Sequence, residues 1–167
     1  MEFVLAKEKD FDLIYDMMLR AKAALIAAGI FQCNDDYPSA EMLLSDIRNS
    51  YTYLVKEEGR TLAFFTSNSI CEDDVHDHIK WLYPDSNYLI LHRLCVEPQR
   101  QGQGIGQRIL EQFEKRAQAD GYDSIRIDVF ATNETAIHIY EKFGYTRVGD
   151  AVCERGLFYI YERRLRQ

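Results

Sequence analysis

Residues 99–106 read Gln99-Arg100-Gln101-Gly102-Gln103-Gly104-Ile105-Gly106 and join an apolar strand to an amphipathic helix. The strand is predicted over residues 88–96, and Pro98 ends it because proline cannot donate to a strand ladder. Three glycines in five residues predict a tight turn with exposed N–H groups at a helix N-terminus, where a phosphate is held well. An ordinary strand-to-helix turn is the alternative interpretation. The helix itself is predicted from apolar residues at helical spacing, namely Ile105, Ile109, Leu110, Phe113 and Ala117.

Two commoner phosphate-binding loops fit this segment poorly. A Walker A loop ends in Gly-Lys-Ser/Thr, whereas Gly106 is followed by Gln107 and Arg108. A dinucleotide fingerprint reads G-x-G-x-x-G, whereas this chain runs G-x-G-x-G. The segment therefore predicts a different kind of phosphate loop.

A second motif follows about thirty residues later, in Asn133-Glu-Thr-Ala136-Ile-His-Ile-Tyr140-Glu-Lys-Phe143-Gly144-Tyr145. Its asparagine and tyrosine are two helical turns apart, so Asn133, Ala136 and Tyr140 are predicted on one helix face. The small Ala136 leaves room for a ligand chain across that face. Phe143-Gly144 ends the helix, because glycine is favoured just past a C-terminus. A tyrosine that only packs is the alternative interpretation.

Together the two motifs resemble the GNAT family of N-acetyltransferases. Its acyl-CoA loop, Q/R-x-x-G-x-G/A, is matched by Gln99, Gly102 and Gly104, and its N-x-x-A-x-x-x-Y-x-x-x-G-F/Y signature by residues 133–145. The resemblance implies an α/β (α+β) acyl-CoA N-acyltransferase fold, with a mixed central sheet of six to seven strands flanked by about four helices. The predicted element order, β-α-α-β-β-β-α-β-α-β-β, is similar to that of the family.

The resemblance also implies acetyl-CoA as cosubstrate, bound at a splayed pair of strands over residues 88–96 and 124–130. The pantetheine arm would pair with backbone groups of the first strand as a neighbouring strand does, and the pyrophosphate would lie on the glycine loop. No metal is implied, because the thioester is already activated. The implied cofactor-binding residues are Leu94, Cys95, Val96, Arg100, Gln101, Gly102, Gln103, Gly104, Ile105, Gly106, Asn133, Ala136, Tyr140 and Phe143.

Two side chains are predicted to be catalytic. The family assigns the tyrosine at the position of Tyr140 to the leaving thiolate, which it would protonate or hydrogen-bond. His92 is the candidate base for the attacking amine, since an ordinary imidazole pKa near ~6.5 suits a base at neutral pH. Strand alternation places His92 on the face of Leu94 and Val96, whereas Arg93 points the other way and is interpreted as structural. A histidine that belongs to the core, with water as the base, is the alternative.

Length and composition predict one domain over residues 1–167. A formal charge of −7 argues against nucleic acid as the main partner, and neither a leader nor a membrane-spanning run is expected. The scattered Cys33, Cys71, Cys95 and Cys153 predict reduced thiols in a cytoplasmic protein. The predicted partner is an amine of a small molecule or peptide, and a homodimer is left open.

Several other features allow a plainer interpretation. His76-Asp77-His78 is interpreted as a solvated loop, and His138 as exposed. The acidic groups at 34–36 and 72–74 either are ordinary loop solvation or attract a cationic amine. Aromatic residues beside these loops either line an acceptor pocket or cap the core, namely Phe31, Tyr37, Trp81 and Tyr83. A noncatalytic acyl-CoA-binding sensor or partner module is the alternative to the enzyme.

Overall fold

The strands and helices follow the predicted order closely. A computed structural model describes residues 1–31, 37–71, 76 and 78–165. The strands are β1 (Glu2–Leu5), β2 (Thr52–Glu57), β3 (Arg60–Asn68), β4 (Tyr88–Val96), β5 (Ser124–Phe130), β6 (Thr146–Cys153) and β7 (Gly156–Arg164). Within the described ranges, the α-helices are α1 (Phe11–Ala27), α2 (Ala40–Arg48), α3 (Ile105–Ala119) and α4 (Glu134–Lys142).

The seven strands form one mixed sheet in the order β1-β2-β3-β4-β5-β7-β6. Strand β4 pairs in parallel with β5, over Tyr88–Ile90 against Ser124–Arg126. The pairs β1–β2, β2–β3, β5–β7 and β6–β7 are antiparallel. A mixed sheet of seven strands with four helices confirms the predicted fold class.

The hairpin between β2 and β3 illustrates how local sequence determines the backbone. Its two turn residues, Glu58 and Gly59, have φ angles of 50° and 75°. A two-residue turn with positive φ at both positions matches the twist of the flanking strands, and glycine adopts such a φ without steric cost. Two strand-like runs, over residues 51–55 and 62–66, flank this glycine and predict such a hairpin from sequence, and the structure confirms it.

The chain divides into two compact units. The first comprises Met1–Ser67 and His92–Ile109, and the second comprises Asn68–Leu91 and Leu110–Gln167. In the first unit, one apolar cluster packs α1 and α2 against the sheet. The buried members of this core are Ala6, Ile14, Met17, Met18, Leu43, Ile47, Leu54 and Phe64. Burial of this apolar face against the sheet is the main source of stability for the unit.

In the second unit, one face of the β5–β7–β6 sheet carries an apolar cluster. Ala151, Phe158 and Ile160 form its buried centre, with Ile79 and Trp81 packed against it. The glycine at the start of β7 fits this cluster closely, because a Cβ on Gly156 would lie 2.8 Å from the ring of Phe130. Across residues 1–31, 37–71, 76 and 78–165, the helices all fall short of the length and apolarity that a bilayer crossing needs.

Candidate functional site

The glycine loop makes the tight turn predicted from its sequence. Gly102 and Gly104 have φ angles of 77° and 72°, in the region that favours glycine, whereas Gly106 already lies inside α3. The carbonyl of Gly104 accepts the N–H of Arg108 at 3.1 Å, which begins the helical ladder. Residues 101–104 are exposed, and a Cβ on Gly102 or Gly104 would meet nothing within 4 Å. Open space therefore lies beside this backbone.

The start of α3 is anchored from within the first unit. Ile105 and Ile109 are buried, so the first turn is fixed against the core. Arg108 forms an ion pair with Glu57 at the end of β2. The first-turn N–H groups of a helix have no acceptor within the helix, and its dipole favours an anion there. A fixed, exposed helix start of this kind can hold a phosphate through backbone donors.

The segment that leads from β4 into the loop is also anchored. Glu97, which follows β4, pairs with Arg20 of α1 through both of its carboxylate oxygens. The side-chain Nε2 of Gln101 donates to the carbonyl of Val96 at 3.3 Å. Arg100 ends the short 3-10 helix Pro98–Arg100. The loop therefore starts from a defined position, which a pre-formed binding site requires.

The second half of β4 departs from regular strand geometry at one residue. His92 is buried, at 5% exposed, whereas Leu94, Cys95 and Val96 are half-buried. Arg93 between them has a φ of 50°, which breaks the two-residue alternation of a strand. The prediction that His92 lies on the face of Leu94 and Val96 assumed regular strand alternation. The backbone at Arg93 is not regular, so alternation alone does not put His92 and Leu94 on one face. The structural interpretation of Arg93 agrees with its ion pair to Asp46.

The remaining predicted site residues lie in the second unit, on and around α4. Asn133 is the N-cap, and its side-chain oxygen accepts the N–H of Ala136 at 3.2 Å. Phe143 is the C-cap, and Gly144 follows with a φ of 83°. The predicted helix and its glycine stop are confirmed. The capping role of Asn133 was missed, although Asn before an apolar helical run is a recognised N-cap signal.

Tyr140 is the buried residue of α4. Its ring centroid lies 5.8 Å from that of Tyr145 and 6.4 Å from that of Tyr161. Burial raises the pKa of Tyr140 well above its ordinary value, and the negative charge of Asp128 raises it further. The phenol is therefore neutral at physiological pH and can donate a hydrogen bond.

The other histidines divide between exposed and buried. His78 and His138 are exposed, as predicted. His76 is only 4% exposed and its ring centroid lies 5.7 Å from that of Trp81, so the prediction of a solvated side chain is wrong for this residue. Apolar packing against Trp81 outweighs the polar local sequence. Within the described ranges, no cluster of three or more His, Cys, Asp and Glu side chains could hold a metal ion.

Some predicted features lie outside the described residues, namely Cys33, Asp77 and the acidic groups at 34–36 and 72–74. Cys71, Cys95 and Cys153 are free thiols. Of the loop aromatics, Trp81 packs on the core cluster of the second unit, whereas Phe31 is 60% exposed. Capping the core is thus the observed role of Trp81.

A buried ion pair in the second unit was also missed. Arg126 and Glu162 are both buried, and Arg126 Nε lies 3.1 Å from Glu162 Oε1. The guanidinium carbon of Arg126 lies 3.8 Å and 3.6 Å from the ring centroids of Trp81 and Tyr88. The signal available was one charged residue of each sign in two apolar strands, which are cross-strand partners here.

Comparison with known proteins identifies a family whose model covers both the glycine loop and α4. Residues 19–145, more than half of the chain, match the model described as the acetyltransferase (GNAT) family. A curated S-(2-succino)cysteine N-acetyltransferase of Bacillus subtilis (strain 168) is 23% identical over 96% of this chain and 93% of that protein. The uncharacterized N-acetyltransferase YdgE of the same organism is 32% identical, over 39% of this chain and 44% of that protein. The chain thus spans less than half the length of the latter relative.

Solved structures agree on the fold. An acetyltransferase of the GNAT family from Streptococcus agalactiae superposes with a TM-score of 0.85, at 24% identity over 99% of this chain and 96% of that one. The PaiA N-acetyltransferase of Thermoplasma acidophilum, solved in complex with coenzyme A, gives a TM-score of 0.70 at 19% identity over 98% of each chain.

Proposed function

The chain belongs to the GNAT family of acetyltransferases, and from that premise we propose that it transfers the acetyl group of acetyl-CoA to a primary amine of a small molecule or peptide. The observation that carries this proposal is the exposed turn at Gly102 and Gly104, which opens onto the start of α3. The turn suits a pyrophosphate, because backbone donors and the helix dipole favour an anion at this point. Coenzyme A is bound in the T. acidophilum structure of the same fold.

The proposed reaction is direct attack on the thioester. The amine nitrogen forms a bond with the carbonyl carbon, the carbon–sulfur bond breaks, and the sulfur departs as a thiolate that must gain a proton. A primary amine with a pKa near ~10.4 is mostly protonated at neutral pH, so a base must remove its proton. The reaction therefore requires one proton acceptor and one donor.

Tyr140 is the proposed hydrogen-bond donor to the leaving sulfur. The raised pKa of its buried phenol keeps the proton in place at neutral pH. The same raised pKa makes full transfer to a thiolate of ordinary pKa near ~8.5 unfavourable, so we assign Tyr140 a hydrogen bond to the developing negative charge. The proton itself then reaches the sulfur from water.

His92 remains the proposed acceptor of the amine proton, either directly or through an ordered water. Its burial within β4 supports a fixed side chain, as a base requires. The curated relative that acts on S-(2-succino)cysteine supports an amino-acid-like amine as one candidate within the small-molecule class. The predicted cytoplasmic location belongs to this proposal, since acetyl-CoA is the cosubstrate.

A noncatalytic acyl-CoA-binding module is the second candidate function. Retention of a tyrosine at position 140 favours the enzyme, because binding alone does not require a phenol at the sulfur. Thiol release from acetyl-CoA with a panel of amines separates the two candidates. A module would bind CoA without accelerating thiol release above the rate without protein.

Calorimetric titration and a thermal scan test the shared premise. We expect CoA and acetyl-CoA to bind and to raise the Tm, because a ligand at 100 times its Kd stabilises the folded state by about 2.7 kcal/mol. ATP and NAD are the control ligands, and neither should match acetyl-CoA. A shift with ATP or NAD alone would contradict the proposed function.

A further inference from the structure

The left-handed backbone inside β4 is the most unusual local feature of the first unit. Within the described residues, the non-glycine residues with positive φ are Ser50 at 62°, Glu58 at 50° and Arg93 at 50°. Ser50 follows α2 and Glu58 lies in the β2–β3 turn, where such a φ is ordinary. Arg93 lies within a nine-residue strand. A bulky residue stays in this region only when its surroundings hold it there, and such positions cluster at functional sites.

The side chain of Arg93 is held by α2 and by Tyr37. Its Nη1 lies 3.5 Å from Asp46 Oδ2, and its Nη2 lies 3.0 Å from Met42 Sδ. The guanidinium carbon lies 5.5 Å from the ring centroid of Tyr37. The side chains of Arg93 and Asp46 are 8% and 13% exposed. Three contacts to a largely buried guanidinium restrict both its position and its orientation.

The partner of Arg93 is itself fixed. Asp46 Oδ2 accepts the hydroxyl of Thr66 on β3 at 3.4 Å, and the Thr66 hydroxyl lies 3.3 Å from that of Thr52 on β2. Both threonines are fully buried. On the same helix as Asp46, Leu43 and Ile47 are buried in the core. Arg93 is therefore held by buried residues of the unit, at the position where β4 leaves extended backbone geometry.

We propose that Arg93 is a positioning residue for acetyl-CoA, because its clamped side chain holds the left-handed bend that aims the backbone of Leu94, Cys95 and Val96. This inference rests on the proposed function, in which those backbone groups pair with the amide-bearing arm of the cosubstrate. A strand residue out of regular geometry re-aims the groups that follow it. Arg93 itself does not touch the reacting atoms. It acts through the strand that follows it.

Two double variants isolate the bend from the ion pair. Arg93→Ala/Asp46→Asn and Arg93→Gly/Asp46→Asn both remove the charge pair without leaving a buried carboxylate alone. They differ only in that glycine adopts positive φ readily and alanine does not. We expect CoA to bind the alanine double variant roughly 5–30-fold more weakly than the glycine one, which matches the left-handed penalty of an L residue. Titration calorimetry on the folded variants measures this ratio.

Glu58 provides the matched control, because its φ is also 50° but it lies in the β2–β3 turn. Glu58→Ala and Glu58→Gly should bind CoA equally. Wild-type CoA affinity in both Arg93 double variants would overturn the inference, since loss of the ion pair would then act only on stability. Failure of the wild-type protein to bind CoA would instead overturn the proposed function.

Asp46→Asn alone keeps the inference testable should the double variants not fold. This substitution preserves shape and removes the charge that holds the guanidinium. We expect the KM for acetyl-CoA to rise several-fold with kcat little changed, which is the pattern for loss of uniform binding. An unchanged KM in a folded Asp46→Asn variant would contradict a positioning role for the clamp.

Discussion

The side-chain oxygen of Asn133 accepts a hydrogen bond from the backbone N–H of Ala136 at 3.2 Å, as the N-cap of α4. The oxygen of the amide thus has a structural role in the helix. The proposed contact of Asn133 with acetyl-CoA would therefore use its amide nitrogen. Substitutions can separate the observed capping role from the proposed binding role.

Asn133→Ser should keep the cap while removing the amide donor. Serine caps about as well as asparagine, whereas alanine at an N-cap lowers stability by about 0.5–2 kcal/mol. We therefore expect Asn133→Ser to retain the wild-type Tm but to bind acetyl-CoA more weakly. Asn133→Ala should have both a lower Tm and a weaker affinity for acetyl-CoA. Thermal scans and calorimetry measure the two roles. Wild-type affinity in Asn133→Ser would limit this residue to capping.

Gly104→Asp should abolish most CoA binding. A carboxylate beside the pyrophosphate repels it by roughly 4 kcal/mol at surface-like screening, which corresponds to about 10²–10³-fold in Kd. Gly59→Asp is the control, because its φ of 75° is close to the 72° of Gly104 and its Cβ would also meet nothing within 4 Å. Both variants should lose similar stability, so calorimetry compares affinity at matched strain. Equal CoA affinities of Gly104→Asp and Gly59→Asp would indicate that the glycine loop is only a strand-to-helix turn and does not bind CoA.

Tyr140→Phe should lower kcat more than it weakens acetyl-CoA binding. Only the hydroxyl is lost, and its proposed hydrogen bond forms to charge that develops during the reaction. Tyr122→Phe serves as the control for removing a phenol elsewhere in the second unit. Steady-state kinetics with a responsive amine give both constants. Losses of equal size in kcat and in binding would assign Tyr140 to packing.

The alkaline side of the rate profile gives an independent check on Tyr140. Burial and Asp128 raise the pKa of this phenol, so the protonated form persists above the ordinary tyrosine pKa near ~10. We therefore expect no fall in kcat/KM from its ionisation up to about pH 10. A fall near that pH in wild type that disappears in Tyr140→Phe would show that the phenol ionises normally.

His92→Ala should remove the acidic limb of the profile. If His92 accepts the amine proton, kcat/KM rises with pH through an apparent pKa that belongs to it, and the variant loses roughly 10²–10⁴-fold at neutral pH. The loss should shrink at high pH, where free amine is plentiful. His138→Ala, at an exposed position on α4, should leave the profile unchanged. An identical pH profile in folded His92→Ala would indicate that water, and not His92, accepts the amine proton.

Glu162→Gln should destabilise the second unit strongly. The substitution leaves the buried guanidinium of Arg126 without its charge partner, and breaking a buried pair on one side costs about 3–5 kcal/mol. Glu111→Gln, which removes an exposed pair with Lys115, should change stability by less than about 1 kcal/mol. Denaturant unfolding compares the two. Similar small losses would mean that water enters the site of Arg126.

Local sequence predicted the elements of this fold well because each one carries a strong local signal. Gly59 marks the hairpin and Gly144 ends α4, while alternating apolar residues mark β5. Features that depend on residues distant in sequence were not predicted. Arg93 contacts Asp46, forty-seven positions earlier, and the buried ring of His76 packs beside Trp81. Neither contact leaves a local pattern in the sequence.

The chain contains a single tryptophan, and that residue is Trp81 in the second unit. Its indole ring stacks on Arg126 and packs on the Ala151–Phe158–Ile160 cluster. Intrinsic tryptophan emission is therefore a site-specific probe of this unit, whereas far-ultraviolet circular dichroism follows helices and strands along the described chain. Coincident unfolding curves from the two signals would identify one cooperative transition. An earlier loss of the emission signal would instead place the weaker part of the protein around Arg126 and Glu162.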